Sequence, residues 1–173
     1  MVSYLYNSPS GVPGDVTRVD ESSIEPTMLV SPFPANFGLP MKYATGSNVT
    51  GEGVTPMTTS DPASAFCGVL TRAVPGISQS NTAEVTGTFQ PNQSEVNGLC
   101  TRGYVAVVCA FGTPVRGAGV YVCTTAAAGH TVGAFEAGSN AYNTLLTATV
   151  VGNVTWASDG ADTSGNSEIR IAQ

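Results

Sequence analysis

NGLCTRGYVAVVCAFGTPVRGAGVYVC, residues Asn97 to Cys123, decides the fold. Two runs in it are short, apolar and β-branched: Arg102 to Cys109 and Gly119 to Cys123. In the first, Tyr104, Ala106 and Val108 point one way, and Val105, Val107 and Cys109 the other. A strand apolar on both faces is usually covered on both faces. Shortness, branching and flanking glycines favour strand over helix. Between the runs lie Phe111 to Ala118. Pro114 cannot donate to a ladder, and Gly112 and Gly117 tolerate positive φ. The chain reverses there, either as a hairpin or as a link between two sheets.

The composition agrees with this reading. Val and Thr number 42, Leu and Lys together only 8, so strand formers dominate and good helix formers are scarce. Charged residues make up 10% of the chain, against roughly 25% in an ordinary globular domain. Ser and Thr, 37 in all, must cover much of the polar surface. Such a surface suits close contact with another protein, because few charges need desolvating. The net charge is −6 with one lysine and five arginines, and no Lys/Arg cluster is visible along the chain. Nucleic acid and anionic membrane surfaces are therefore not expected partners. No segment approaches the roughly 20 apolar residues that span a bilayer, and MVSYLYNSPSG has neither the basic region nor the apolar core of a secretory signal.

Residues 1–35 are rich in Ser, Pro, Gly and acids, and Pro9, Pro13, Pro26, Pro32 and Pro34 exclude a long helix. Apolar groups interrupt this stretch at Val2, Tyr4 to Tyr6, Met28 to Val30 and Phe33. It reads as an extended arm with anchor points, lying on a neighbour or folded back on its own domain. Residues 36–173 read as the domain proper. Strands are expected at Phe37 to Ala44, with Pro40 marking an edge or a bulge, and at Ala65 to Arg72. A weaker strand spans Ala83 to Phe89. Further strands are expected at Thr131 to Phe135, Thr144 to Val151, Val154 to Ala157 and Glu168 to Ile171, with Gly152-Asn153 as a hairpin turn. Nine or ten strands with short gaps make an all-β sandwich or a small barrel.

Chemical sites are sparse. Cys67, Cys100, Cys109 and Cys123 are too widely spaced for a CxxC metal site, and Cys67, Cys109 and Cys123, inside apolar strands, read as core thiols. His130 is the only histidine, with no evident carboxylate or serine partner and no GxSxG elbow in the chain. Glu84, Glu95, Glu136 and Glu168 supply no spacing that selects an acid pair and read as solvated surface. Asp159 and Asp162 read as turn residues rather than calcium ligands. No catalytic, metal or cofactor site is expected, and the chain is not expected to be an enzyme.

Several pieces in order resemble the structural cement (decoration) proteins of tailed-bacteriophage capsids. They are Gly14-Asp15-Val16-Thr17-Arg18, Phe37-Gly38-Leu39-Pro40-Met41-Lys42, Phe66-Cys67-Gly68-Val69-Leu70, Arg102-Gly103-Tyr104-Val105-Ala106-Val107, Gly119-Val120-Tyr121-Val122 and a tail ending Glu168-Ile169-Arg170. The resemblance implies a jelly-roll-like β-sandwich on the outer face of the virion capsid, with the extended N-terminal arm attached. It implies the major capsid protein as partner and a homo-oligomer, a dimer or trimer, at local symmetry axes. Synthesis would be in the host cytoplasm. Arg18, Phe33 and Phe37 are the candidate capsid contacts. The alternative is a carbohydrate-binding or adhesion module on the virion surface, for which Trp156, Tyr142 and Tyr6 are the available aromatics.

Overall fold

A computed structural model describes residues 11–44, 53–72, 91, 93, 95–145, 147–148 and 152–172. Eleven strands lie among them: β1 Ser23–Leu29, β2 Pro40–Tyr43, β3 Gly53–Pro56, β4 Phe66–Thr71, β5 Asn97–Phe111, β6 Val120–Cys123, β7 Phe135–Ala137, β8 Asn143–Leu145, β9 Thr147–Ala148, β10 Gly152–Trp156 and β11 Asn166–Ile171. The described helical segments are two 3-10 turns, at Val19–Glu21 and Ala63–Ala65. The protein is all-β, a barrel-like sandwich.

The 15-residue β5 organises everything. Its first half lies in a closed ring, β1–β3–β2–β4–β5 and back to β1. Each strand turns an apolar residue into this ring: Leu29, Val54, Met41, Leu70 and Leu99, joined by Cys67 and by Phe37 from the preceding loop. The ring closes through the pairing of Met28 and Leu29 with Gly53 and Val54. The second half of β5 pairs with β11, which pairs with β10, and its end pairs in parallel with β7. A Gly119–Thr155 bridge joins β6 to β10, flanked by Trp156 N–H donating to Ala118 O at 2.9 Å. Val105, Val107, Val120, Val122, Phe135, Trp156 and Ile169 fill this second core. Phe66, Val69 and Cys100, on the outer wall of the first ring, join it, so the two cores share a wall.

Gly103 marks the junction. β1 pairs with β5 up to Arg102, and β11 takes over from Gly103. Gly103 has φ +117, and a Cβ there would lie 2.1 Å from Ser22 Oγ. Only glycine lets the chain of β1 come this close.

Several expectations change. β5 and β6 do not form a hairpin: β7 lies between them, hydrogen-bonded to both. Phe111 to Ala118 is thus a link. The strand expected from Thr131 begins only at Phe135, because Thr131 to Ala134 form a turn, with Gly133 N–H donating to Cys123 O and Ala134 N–H to Thr131 O. Gly152 and Asn153 are themselves strand, paired with Ala148 and Thr147, so they are not the turn. Phe37 to Leu39 precede β2 rather than belong to it. Pro40 opens β2, which is interior to the ring and bulged between Met41 and Lys42. The expected strand Ala83 to Phe89 and the anchor residues Val2 and Tyr4 to Tyr6 lie outside the described residues.

Within the stretch read as an arm, residues from 11 onward fold back on the domain and include strand β1. Gly14 N–H donates to Ala106 O, Ala106 N–H to Asp15 O and Thr17 N–H to Tyr104 O, at 2.8–3.1 Å. Residues 14–17 therefore run along β5, and β1 is a full member of the first ring. The fold reason is that β5 outruns β4 and its remaining backbone groups need partners.

Candidate functional site

Among the described residues, one buried polar cluster joins residues that sequence reading dispersed. β7 carries Glu136 inward, where it is 0% exposed. Its Oε1 lies 2.8 Å from His130 Nδ1. Its Oε2 accepts from Asn140 Nδ2 at 2.9 Å and from Asn143 Nδ2 at 2.8 Å. Burial pushes the carboxyl pKa up, but the hydrogen bonds from Asn140, His130 and Asn143 outweigh it and hold it below the ordinary glutamate value. The His130 ring packs against Phe111 and Tyr142, with centroids 4.3 and 5.0 Å away. His130 thus has a carboxylate partner, and Glu136 is not solvated surface. The turn at Thr131 to Ala134 brings them together. Asn140 and Asn143, spaced to return to one carboxylate, were the available signal.

Both Glu136 oxygens are engaged, and the nearby Cys123 thiol is pushed up by burial and by Glu136, away from a reactive thiolate. The node holds the connections among β6, β7 and β8. Glu168 belongs to a separate network, accepting from Thr17 Oγ1 and from Arg18 Nη2. Asp159 and Asp162 are turn residues as expected: Asp159 accepts from Arg116 N–H, and Asp162 from the N–H groups of Ser164 and Asn166. All four cysteines are buried and free. Burial raises Cys67 to about 12 and Cys100 to about 11. Among the described residues no group of three His, Cys, Asp or Glu is placed to hold a metal.

The three candidate contact residues sit in different settings. Phe37 is 9% exposed and belongs to the first core, so it is not a surface contact. Sequence could not separate an aromatic that closes a core from one that meets a partner. Phe33 is 42% exposed on the connector after β1. Arg18 is exposed, ion-paired to Glu168 at 3.4 Å and stacked over Tyr104 with Cζ 3.8 Å from the ring centroid. Trp156 is buried in the second core and cannot serve as a sugar platform. Tyr142 is exposed beside His130, and Tyr6 lies outside the described residues.

The outward face of β1 is more telling. Its residues alternate, with Thr27 and Leu29 inward and Ile24, Pro26 and Met28 outward. Ile24 is 47% and Met28 40% exposed. The chain then crosses the outside of β3, where Thr55 Oγ1 donates to Pro32 O at 2.9 Å, and presents Phe33. The result is an apolar wall on a closed ring.

A family model describing the XM1 gp53 minor capsid protein matches residues 1–171. The chain belongs to the XM1 gp53 minor capsid protein family. A chain from a structure titled "The capsid of Myoviridae Phage XM1" shares the fold, with a TM-score of 0.64 at 15% identity, covering 99% of this chain and 96% of that one. No curated protein matches the sequence. As a member of the XM1 gp53 family, the protein is a structural component of a phage virion, associated with the capsid. The family is one of structural proteins, not an enzyme class. The resemblance to phage capsid proteins carried by the short motifs is thus upheld at the level of the capsid.

Proposed function

We propose that this minor capsid protein is a decoration protein. It binds the outer face of the major capsid lattice and bridges neighbouring subunits, as a dimer or trimer at a local symmetry axis. The observation that carries this is the apolar outward face of β1, Ile24, Pro26 and Met28, with Phe33 exposed on the connector that follows. Exposed contiguous apolar surface marks an interaction site. β1 pairs with β5 along most of its length and with β3 at Met28 and Leu29, and the proposed partner meets its outward face. Binding only to the assembled lattice stabilises that lattice by mass action, and many copies per shell make the effect multivalent.

The test mixes the purified protein with shells assembled from the major capsid protein alone, followed by sedimentation and shell melting. Saturable co-sedimentation and a raised shell melting temperature are expected. Ile24→Asp with Met28→Asp should leave the protein folded and in the supernatant. Wild-type protein that never pellets overturns the decoration role. A double variant that pellets fully moves the contact away from β1.

A further inference from the structure

The apolar wall leaves the chain's few cations unexplained. Lys42 is committed internally, with Nζ 2.7 and 2.6 Å from the two Asp61 oxygens. Arg72 is likewise paired, with Asp15 at 3.9 Å, but other arginines are different. Arg18 and Arg170 come from distant parts of the sequence and meet over Tyr104. Arg170 is the cross-strand partner of Tyr104, its Cζ 5.8 Å from the ring centroid. Arg18 stacks on the same ring at 3.8 Å. Arg102 lies two residues before Tyr104 on β5 and is exposed, as is Arg170. An acidic chain thus stacks two of its five arginines on one ring, with a third exposed two residues away on β5. Glu168, on the neighbouring strand, is the one carboxylate hydrogen-bonded within the group, 3.4 Å from Arg18.

We infer that this face receives a carboxylate-bearing, acidic segment of a neighbouring shell protein. The inference rests on the decoration reading and adds an electrostatic contact to its apolar one. Guanidinium groups bind carboxylates through two parallel N–H donors, and stacking on an aromatic ring leaves those edges free. Glu168 accepts one such donor from Arg18, at 3.4 Å, from within the chain. Nucleic acid fits less well. A phosphate backbone is held by a run of cations, whereas Asp20 and Glu21 follow Arg18 on an exposed turn and the chain carries −6 overall.

The test is Arg102→Glu with Arg170→Glu, its fold verified by circular dichroism and its urea midpoint. Shell binding is measured at roughly 0.05 M and roughly 0.5 M NaCl, between which screening shortens severalfold. Wild-type binding should weaken about tenfold with salt, and the variant should bind about tenfold more weakly at low salt with little further salt response. In parallel, fluorescence anisotropy follows the isolated proteins with a polyglutamate peptide and with a single-stranded DNA oligonucleotide. Peptide binding that the charge reversal abolishes supports the assignment. Shell binding that is tight but indifferent to salt and to the reversal overturns it, while leaving the decoration role standing. Tighter binding of the oligonucleotide than of the peptide overturns it in favour of nucleic acid. If no shell binding occurs at any salt, the decoration role fails, and the peptide arm alone then decides for or against the arginine face.

Discussion

Glu136 shows how one buried residue can set a pH limit. Its carboxylate gives up water and recovers hydrogen bonds from His130, Asn140 and Asn143. Because its folded pKa is depressed below the ordinary 4.5, it contributes stability above that value. The contribution is lost as pH falls through the lower, folded value. Glu136→Gln keeps the shape but turns an amide NH2 toward groups that donate, leaving a buried donor unpaired at a cost of about 1–3 kcal/mol. In urea unfolding, the gap between wild type and Glu136→Gln should be widest near neutrality and narrow below about pH 4.5, the unshifted value from which wild type starts to lose its advantage. Asp61 and Asp162 are also depressed, so the difference between the two proteins is the informative quantity. A gap constant from neutrality to acid would deny the carboxylate its charged role.

At the level of elements, β5 is where sequence and structure agree best. Val105 and Val107 are fully buried in the second core, as the apolar run Arg102 to Cys109 implied. Val107→Asp should therefore destabilise by roughly 4 kcal/mol or more, since an unpaired carboxylate would enter a packed core. The expected result is loss of the cooperative urea transition rather than a folded protein that no longer binds shells. Such a folded variant would place β5 at the interface instead. The other face was only half legible. Ala106 is buried beside residues 14–17, but Val108 is exposed, because partner coverage differs along one strand. Alternation and β-branching locate a strand; they carry no record of which strand lies beside it. That is why the placement of β7 between β5 and β6 was missed, though a strand ending at Phe135 was expected. The contact residues fared similarly. Arg18 and Phe33 are exposed as wanted and Phe37 is not, while the arginine group around Tyr104 exists only after β5 and β11 pair.

At the scale of the molecule, the question is whether two cores behave as one. Each ring has its own interior, yet β5 belongs to both, and Phe66, Val69 and Cys100 of the first ring pack into the second core. Breaking either ring exposes part of the other, which predicts a single cooperative unit. The four free cysteines report on this directly. Cys67 lies in the first core, Cys109 in the second, and Cys100 on the shared strand. Buried thiols with raised pKa values do not label in the native state. Pulse labelling with a maleimide across a urea series, with each cysteine quantified by mass spectrometry, should therefore give one common midpoint for Cys67, Cys100, Cys109 and Cys123. The same midpoint should appear in tryptophan fluorescence, since Trp156 is the sole tryptophan and sits in the second core. Earlier labelling of Cys67 than of Cys109 would mean that the first ring opens alone. The apolar wall of β1 would then be carried by a separately melting unit, and shell binding would be lost before the second core unfolds. A common midpoint instead makes the shared strand the device that keeps both the β1 wall and the arginine face presented in fixed relation. A protein that bridges subunits at fixed spacing needs that rigidity.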